Sequence, residues 1–210
     1  MAVAKVWNGN EWVAAKWKTH HGGEWVEQSK VWDGNEWVLI GKSGLGLPLL
    51  IALTPSGAGN GRVVSWSGSG TPIDVITGLS NPFGVAVDNT GNVYVAQRPI
   101  SGGVVTRWDG ATQTDVITGL SNPFGVAVDN TGNVYVAQSI TIGALTRWDG
   151  VTKTDVITEL NRPTGVAVDN TGNVYVAQYT SGVVTRWDGA TKTDVITGLP
   201  FPTLLALTPQ

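Results

Sequence analysis

Residues 82–97 read Pro-Phe-Gly-Val-Ala-Val-Asp-Asn-Thr-Gly-Asn-Val-Tyr-Val-Ala-Gln, and this stretch returns almost unchanged at residues 123–138 and 163–178. Each copy is followed by a variable loop, a run such as Val-Val-Thr-Arg-Trp-Asp-Gly, and then Thr-Asp-Val-Ile-Thr. Every unit therefore holds four short β-type runs separated by turn sequences such as Asn-Thr-Gly-Asn. Four antiparallel strands in a period of about 40 residues are typical of one blade of a β-propeller.

Three such units are complete, and further β-type runs lie on either side of them. Runs at residues 49–55, 61–66 and 73–77 precede the repeats, and a run at residues 203–209 follows them. We expect Leu204 to Thr208 to supply the innermost strand of a fourth blade and residues 49–77 the other three. Pairing of these terminal strands closes an all-β, four-bladed ring without an exposed edge strand. An incomplete arc that a second chain completes remains the alternative.

The first 42 residues carry a different repeat. Lys-Val-Trp-Asn-Gly-Asn-Glu-Trp-Val at residues 5–13 returns as Lys-Val-Trp-Asp-Gly-Asn-Glu-Trp-Val at residues 30–38. Asn-Gly and Asp-Gly favour tight hairpin turns, and residues 17–25 read as a third hairpin. Isolated hairpins are only marginally stable in water, so this region is predicted to self-associate or to dock on a partner. The candidate assembly residues are its six tryptophans: Trp7, Trp12, Trp17, Trp25, Trp32 and Trp37.

A Gly-rich segment at residues 41–46 separates the two patterns. Gly, Ser and short polar runs between two periodic regions are typical of a linker. The predicted domains are therefore residues 1–42, a hairpin region for anchoring and oligomerisation, and residues 47–210, a propeller.

Composition excludes several classes of function. The chain has 13 basic and 16 acidic residues, 14% charged residues and no cysteine. It therefore lacks the basic field that nucleic acid requires, and it has no thiols for disulfides or thiolate catalysis. The start of the sequence lacks the pattern of a signal peptide, and no apolar stretch is long enough to span a bilayer. We expect synthesis in a cytoplasm and no membrane insertion.

The repeated units resemble the NHL repeat, a Pro-x-Gly-Val-Ala-Val-Asp and Gly-Asn-Val-Tyr-Val signature that covers residues 72–200 here. NHL propellers include binding platforms, sensors, and enzymes such as streptogramin lyases and related lactonases. The Trp-Asn/Asp-Gly hairpins resemble repeats in minor tail proteins of actinobacterial phages. Together the two resemblances imply a minor tail protein of the virion, bound to other tail proteins, oligomeric with a trimer favoured, and presenting the propeller to a glycan or protein of the host surface. The alternatives are a cellular NHL-type sensor or interaction scaffold and, second, a propeller lyase or lactonase.

The residues offer little for catalysis. The only histidines, His20 and His21, lie in the hairpin region. Aspartates at 88, 129 and 169 precede Asn-Thr-Gly-Asn, where their side chains are expected to bond the local backbone of a turn. The sequence therefore predicts no enzymatic activity, no metal site and no cofactor.

The copies differ mainly in two connections: the loop between the second and third strands and the entry to the first strand. In an up-and-down blade both connections emerge on one side, which is the pattern of a ligand-contacting face. Drift of exposed loops after duplication explains the differences equally well. The candidate ligand-binding residues on this side suit glycan or protein contact; they are Arg98, Ile100, Ile140, Ile142, Arg162 and Tyr179.

Overall fold

The computed structural model describes residues 6–7, 12–13, 17–21, 24–32, 37–40, 49–53, 60–66, 70–203 and 205, with side chains from Leu50 onward. Every regular element in this part of the chain is a β-strand. Within it, no helix is long and apolar enough to cross a membrane. The chain divides into two compact units, Met1–Leu49 with Ser65–Ile73 and Leu50–Val64 with Asp74–Gln210.

Five strands lie in the smaller unit: β1 Val6–Trp7, β2 Trp12–Val13, β3 Trp17–His21, β4 Glu24–Trp32 and β5 Trp37–Ile40. Strands β1 and β2 pair antiparallel, with Trp7 opposite Trp12. Strand β4 pairs with both β3 and β5, so these three form one antiparallel sheet. The predicted Asn-Gly and Asp-Gly turns lie outside the described residues, as do the tryptophan side chains.

The repeats form three four-stranded antiparallel sheets, each with its strands in chain order. The first sheet contains β9 Pro82–Val87, β10 Val93–Gln97, β11 Gly103–Trp108 and β12 Gln113–Leu120. The second contains β13 Pro123–Val128, β14 Val134–Gln138, β15 Gly143–Trp148 and β16 Lys153–Leu160. The third contains β17 Pro163–Val168, β18 Val174–Gln178, β19 Val183–Trp187 and β20 Lys192–Ile196. The prediction of an all-β repeat fold with four strands per unit is confirmed.

The segment before the repeats forms a sheet of three strands: β6 Leu49–Leu53, β7 Gly61–Trp66 and β8 Ile73–Leu79. Their order is β6-β7-β8, as expected for the second, third and fourth strands of an incomplete blade. The strand predicted to complete it, Leu204 to Thr208, lies outside the described residues except for Leu205. Among the described residues this sheet has three strands.

Neighbouring four-stranded sheets pack through their first strands. A Cβ atom on Gly84 would lie 2.4 Å from the carbonyl oxygen of Phe124, and one on Gly125 would lie 2.2 Å from that of Thr164. Such close backbone approach requires glycine at these positions. Equivalent residues of β9, β13 and β17 therefore lie side by side.

Apolar side chains fill the space between neighbouring sheets. Val95, Val136 and Val176, at the centres of the second strands, are fully buried. The tryptophans that end the third strands of the four-stranded sheets pack there too: Trp187 is 9% exposed, and its ring meets the edge of the Tyr135 ring with centroids 6.3 Å apart. Burial of these apolar side chains contributes to the hydrophobic stabilisation of the sheets.

Candidate functional site

Antiparallel topology gives each four-stranded sheet two ends with different connections. At one end lie the loops from second to third strands and from fourth strands to the next first strand; we call it the variable end, because its sequence differs between repeats. At the other end lie the turns from first to second and from third to fourth strands; we call it the constant end. Because equivalent residues of the first strands lie side by side, the variable ends of neighbouring sheets adjoin one another.

One aspartate holds the turn after each first strand at the constant end. In the second sheet, Asp129 Oδ1 accepts hydrogen bonds from the backbone N–H groups of Thr131 and Asn133, both at 2.9 Å. Asp129 Oδ2 accepts from the Asn133 amide at 2.7 Å and from the Tyr135 hydroxyl at 3.2 Å. The same bonds recur at the two equivalent residues, Asp88 and Asp169. The interpretation of these aspartates as turn residues is confirmed.

These bonds change the protonation equilibria of both partners. Burial disfavours the ionised form of Asp129, but the hydrogen bonds from Asn133 and Thr131 outweigh it and lower the pKa of Asp129 below its ordinary value. Burial, together with the charge and hydrogen bond of Asp129, raises the pKa of Tyr135 to about 12. Within the described residues, no group of three or more His, Asp or Glu side chains is placed to hold a metal ion.

A second repeated network crosses each sheet. In the first sheet the Gln97 amide donates to the Thr106 hydroxyl, which donates to Asp115 at 2.5 Å; the Gln97 side-chain oxygen accepts from the Ser80 N–H at 2.6 Å. Equivalent chains run through Gln138, Thr146 and Asp155 and through Gln178, Thr185 and Asp194. Because the network recurs in every repeat and joins three strands, its role is structural. The sequence analysis missed it, although a Gln and a Thr inside otherwise apolar strands were the available signal.

Arg98 lies at the variable end, between the first and second sheets. Its guanidinium carbon is 3.2 Å from the centroid of the Phe83 ring and 5.3 Å from that of Phe124. One guanidinium nitrogen donates to Asn122 Oδ1 at 2.6 Å, and burial lowers the pKa of Arg98. Arg98 therefore joins two neighbouring loops of the protein through stacking and a hydrogen bond.

A second arginine cluster lies at the variable end of the third sheet. The guanidinium carbon of Arg162 is 5.4 Å from the centroid of the Tyr179 ring, and Tyr179 packs against Phe201 with ring centroids 5.2 Å apart. Phe201 is 65% exposed. We refer to these three residues as the Arg162 cluster. The sequence analysis singled out Arg162 and Tyr179 but missed Phe201, which follows the last repeat.

The three isoleucine candidates lie in the loops from second to third strands of the first two sheets. Ile100 is wholly exposed, Ile142 is largely exposed, and Ile140 is partly exposed. The structure therefore places all six candidates at the variable end and brings Arg162 and Tyr179 into contact with each other. The tryptophans proposed for assembly belong to strands β1–β5, and their side chains lie outside the described residues.

Backbone strain distinguishes the last two connections at the variable end. Arg162 and Phe201 have φ values of 54° and 47°, at the position where Asn81 and Asn122 have 52°. Glu159 has φ of 60°, at the position of three glycines with positive φ: Gly78, Gly119 and Gly198. A left-handed conformation costs a residue with a side chain about 1–2 kcal/mol, and Asn and Gly tolerate it best. Glu159, Arg162 and Phe201 thus adopt the left-handed conformation at positions where the equivalent residues of other connections are Gly or Asn, which adopt it with less strain.

Comparison with solved structures identifies the fold. The chain matches a gluconolactonase from Xanthomonas campestris with a TM-score of 0.55 and 21% identity, over 70% of this chain and 58% of that one. It matches a structural-genomics protein described as a candidate gluconolactonase with a TM-score of 0.53 and 15% identity, over 65% of this chain and 56% of that one. The chain thus spans less than three fifths of the length of either protein. No protein-family model matches the chain, and no curated protein does.

At these identities the comparison defines a fold, a propeller-like array of antiparallel sheets of the gluconolactonase type. It agrees with the propeller implied by the NHL resemblance. The predictions of a phage tail protein and of a chain without enzymatic activity are contradicted, because the solved structures that share the fold are described as gluconolactonases. That class corresponds to the second alternative from the sequence, a propeller lyase or lactonase. The resemblance of the hairpins to tail proteins reflects a short tryptophan-rich motif and has no support here.

Proposed function

We propose that this chain is a propeller hydrolase of the lactonase type, with its active site at the variable end. The observation that carries the proposal is the fold shared with two proteins described as gluconolactonases. The chemistry of the variable end supports it. A catalytic site occurs once in a propeller, and the charged residues that occur in only one repeat, Arg98, Glu159 and Arg162, lie at this end.

Hydrolysis of a lactone requires a base near the ester carbonyl. Water adds to the carbonyl carbon as the base takes its proton, the ring C–O bond breaks, and the ring oxygen takes the proton back from the base to give a hydroxy acid. Glu159, the penultimate residue of β16, is the one carboxylate at the variable end within the described residues. It is exposed, and it keeps a strained backbone where the other repeats have glycine. We assign Glu159 as the general base.

The test is acid release from sugar lactones by the full chain, compared with the Glu159→Gln variant. Glutamine preserves size and hydrogen bonding but cannot accept a proton, so kcat is expected to fall by about 100-fold or more. Asp74→Asn is the matched control, because Asp74 is exposed and pairs only weakly with Arg62 at 3.5 Å. Absence of lactone hydrolysis by the unmodified chain, or equal rates for both variants, would refute the proposal or the assignment respectively.

We also infer that the larger unit closes into a four-bladed ring through Leu204 to Thr208. After β20 the chain turns back toward the third sheet: the Leu199 N–H donates to the Gly182 carbonyl at 2.9 Å, and the Thr164 hydroxyl donates to the Pro202 carbonyl at 3.0 Å. The segment after Pro202 therefore starts beside β17, as β13 starts beside β9. Deleting residues 204–210 is expected to lower the Tm by at least about 4 °C. Deleting residues 209–210 alone is the control.

Residues 1–42 and 47–210 are proposed as separate domains, with the hairpin region driving self-association to a trimer. Support comes from the hairpin pairing of β1 with β2 and of β4 with its neighbours, since small hairpin sheets require a further surface. The mass of the full chain in solution, compared with a chain that starts at Leu47, tests this. A trimer that becomes a monomer supports the proposal, whereas equal oligomeric states contradict it.

A further inference from the structure

We propose that the lactone hydrolysed by this propeller carries an ionised carboxylate besides its ester, and that the Arg162 cluster binds this carboxylate and the adjoining ring. The substrate class is then the monolactone of a sugar diacid. The inference rests on the proposed function, which it extends from a reaction type to a substrate class.

The two arginines of the variable end differ in what they already bind. Arg98 donates to Asn122 and stacks on Phe83, so its guanidinium is engaged by the protein. Arg162 is exposed, and within the described residues its guanidinium forms no ion pair and no hydrogen bond, only the contact with the Tyr179 ring. A guanidinium with free donors in a fixed fork is suited to bidentate binding of a carboxylate.

The aromatic members of the cluster supply a surface for a ring. Tyr179 and Phe201 are tilted by 36° with centroids 5.2 Å apart, and Phe201 is largely exposed. The faces of aromatic rings are electron-rich and attract the C–H groups of a saturated ring. A cation beside two such rings therefore matches a ligand that is both cyclic and anionic.

The fold itself does not require these side chains. Asn81 and Asn122 adopt the same left-handed conformation at the equivalent positions of earlier connections, at lower steric cost. Arg162 and Phe201 retain that conformation despite their larger side chains. Side chains kept against conformational cost at an exposed position indicate a role in binding.

One member of the Arg162 cluster, Arg162 itself, lies close in the chain to the proposed base, which is near the end of β16. Glu159 lies three residues before Arg162, and the Arg162 N–H donates to the Leu160 carbonyl at 3.1 Å, which makes the connection compact. The Tyr179 N–H donates to the Arg162 carbonyl at 3.1 Å and ties this connection to the end of β18. A substrate held by the cluster through its carboxylate is therefore held close to the end of β16, which carries the base.

Two lactones with the same ring test the inference. The γ-lactone of glucaric acid carries a carboxylate where the γ-lactone of gluconic acid carries a hydroxymethyl group. We expect kcat/KM of the full chain to be at least about tenfold higher for the glucaric lactone, because a carboxylate–guanidinium hydrogen bond pair is a strong one. Arg162→Asn, which introduces the residue of the first two connections, is expected to abolish this preference, because kcat/KM falls more for the glucaric lactone than for the gluconic lactone.

Lys192→Asn is the matched control, since it removes one positive charge from an exposed site at the constant end of the same sheet. The preference should survive in this variant. Equal kcat/KM for the two lactones in the unmodified chain would overturn the inference while the proposed function stands. An equal fall in kcat/KM for both lactones in the Arg162→Asn variant would also overturn the inference. A loss of the preference for the glucaric lactone in the Lys192→Asn variant would do the same.

If neither lactone is hydrolysed, the proposed function fails and calorimetric binding of the glucaric lactone decides the inference about the cluster. Saturable binding that weakens by at least about tenfold in Arg162→Asn and not in Lys192→Asn supports it. No saturable binding, or equal affinity for both lactones, overturns it.

Discussion

The two ends of the four-stranded sheets differ in how they use polar residues. At the constant end each aspartate makes the same bonds in all three sheets, and the Asp88, Asp129 and Asp169 turns are interchangeable. At the variable end the arginine side chains differ in their contacts: the Arg98 guanidinium donates to Asn122, whereas the Arg162 guanidinium forms no hydrogen bond within the described residues and contacts the Tyr179 ring. Hydrogen bonds that recur in every repeat stabilise the fold. Side chains that occur in only one repeat and bind no other part of the protein are available for a ligand.

The largest effect is expected from breaking one constant-end turn. Asp129→Ala removes the acceptor for five donor groups, including the buried Tyr135 hydroxyl, and should lower the free energy of unfolding by about 3 kcal/mol. Ile142→Ser, at the variable end, is the control and should change it by no more than about 0.5 kcal/mol. Urea unfolding of both variants gives the comparison. Similar losses of unfolding free energy in both variants would show that the two ends contribute equally to stability.

The network across the sheets should have the next largest effect. Thr146→Val preserves shape but removes the hydroxyl that joins Gln138 to Asp155, so the free energy of unfolding should fall by about 1–2 kcal/mol. Thr141→Val, in an exposed variable-end loop, is the matched substitution and should be neutral. Thermal unfolding measures both. A neutral Thr146→Val would mean that the repeated network is dispensable.

The pH dependence of stability should also come from the constant end. The pKa of Asp129 is lowered in the folded state, so its contribution is full above the ordinary pKa of 3.8 and is lost as the pH falls below it. The pKa of Tyr135 is raised, so its contribution is full below 10 and is lost as the pH rises toward about 12. Asp129→Asn should make the acid limb of the stability curve less steep and Tyr135→Phe the alkaline limb, since each variant removes one of several groups with a shifted pKa. If the pH dependence of stability is unchanged in these variants, it comes from titration of other groups.

The repeats made most of the fold predictable. Alternating apolar runs and Asn-Thr-Gly-Asn turns predicted the four strands of each sheet, and the same pattern predicted that residues 49–77 form a three-stranded sheet. The aspartate turns were predictable too, because Asp and Asn bond the backbone close to them in sequence. The pairing of the last strand was not tested, since it lies outside the described residues.

The candidate site was predictable only in part. Sequence differences between repeats indicated that the variable connections share one end of the sheets, because topology alone places those connections together. They did not show that Arg98 is engaged by Asn122, or that Phe201 joins Arg162 and Tyr179, since both contacts depend on side-chain placement between different connections. The positive φ of Glu159 was missed, although the alignment of Glu159 with Gly78 and Gly119 in the repeats was an available signal.

Unfolding of the double variant Glu159→Gly/Arg162→Asn in urea tests most directly whether these variable-end side chains are kept for a ligand. Both changes restore residues that other connections already use at the same left-handed positions. The account predicts that the free energy of unfolding rises by about 1 kcal/mol, because strain is relieved and no bond that holds the fold is lost. A fall in the free energy of unfolding would contradict it and would show that Glu159 and Arg162 serve the fold.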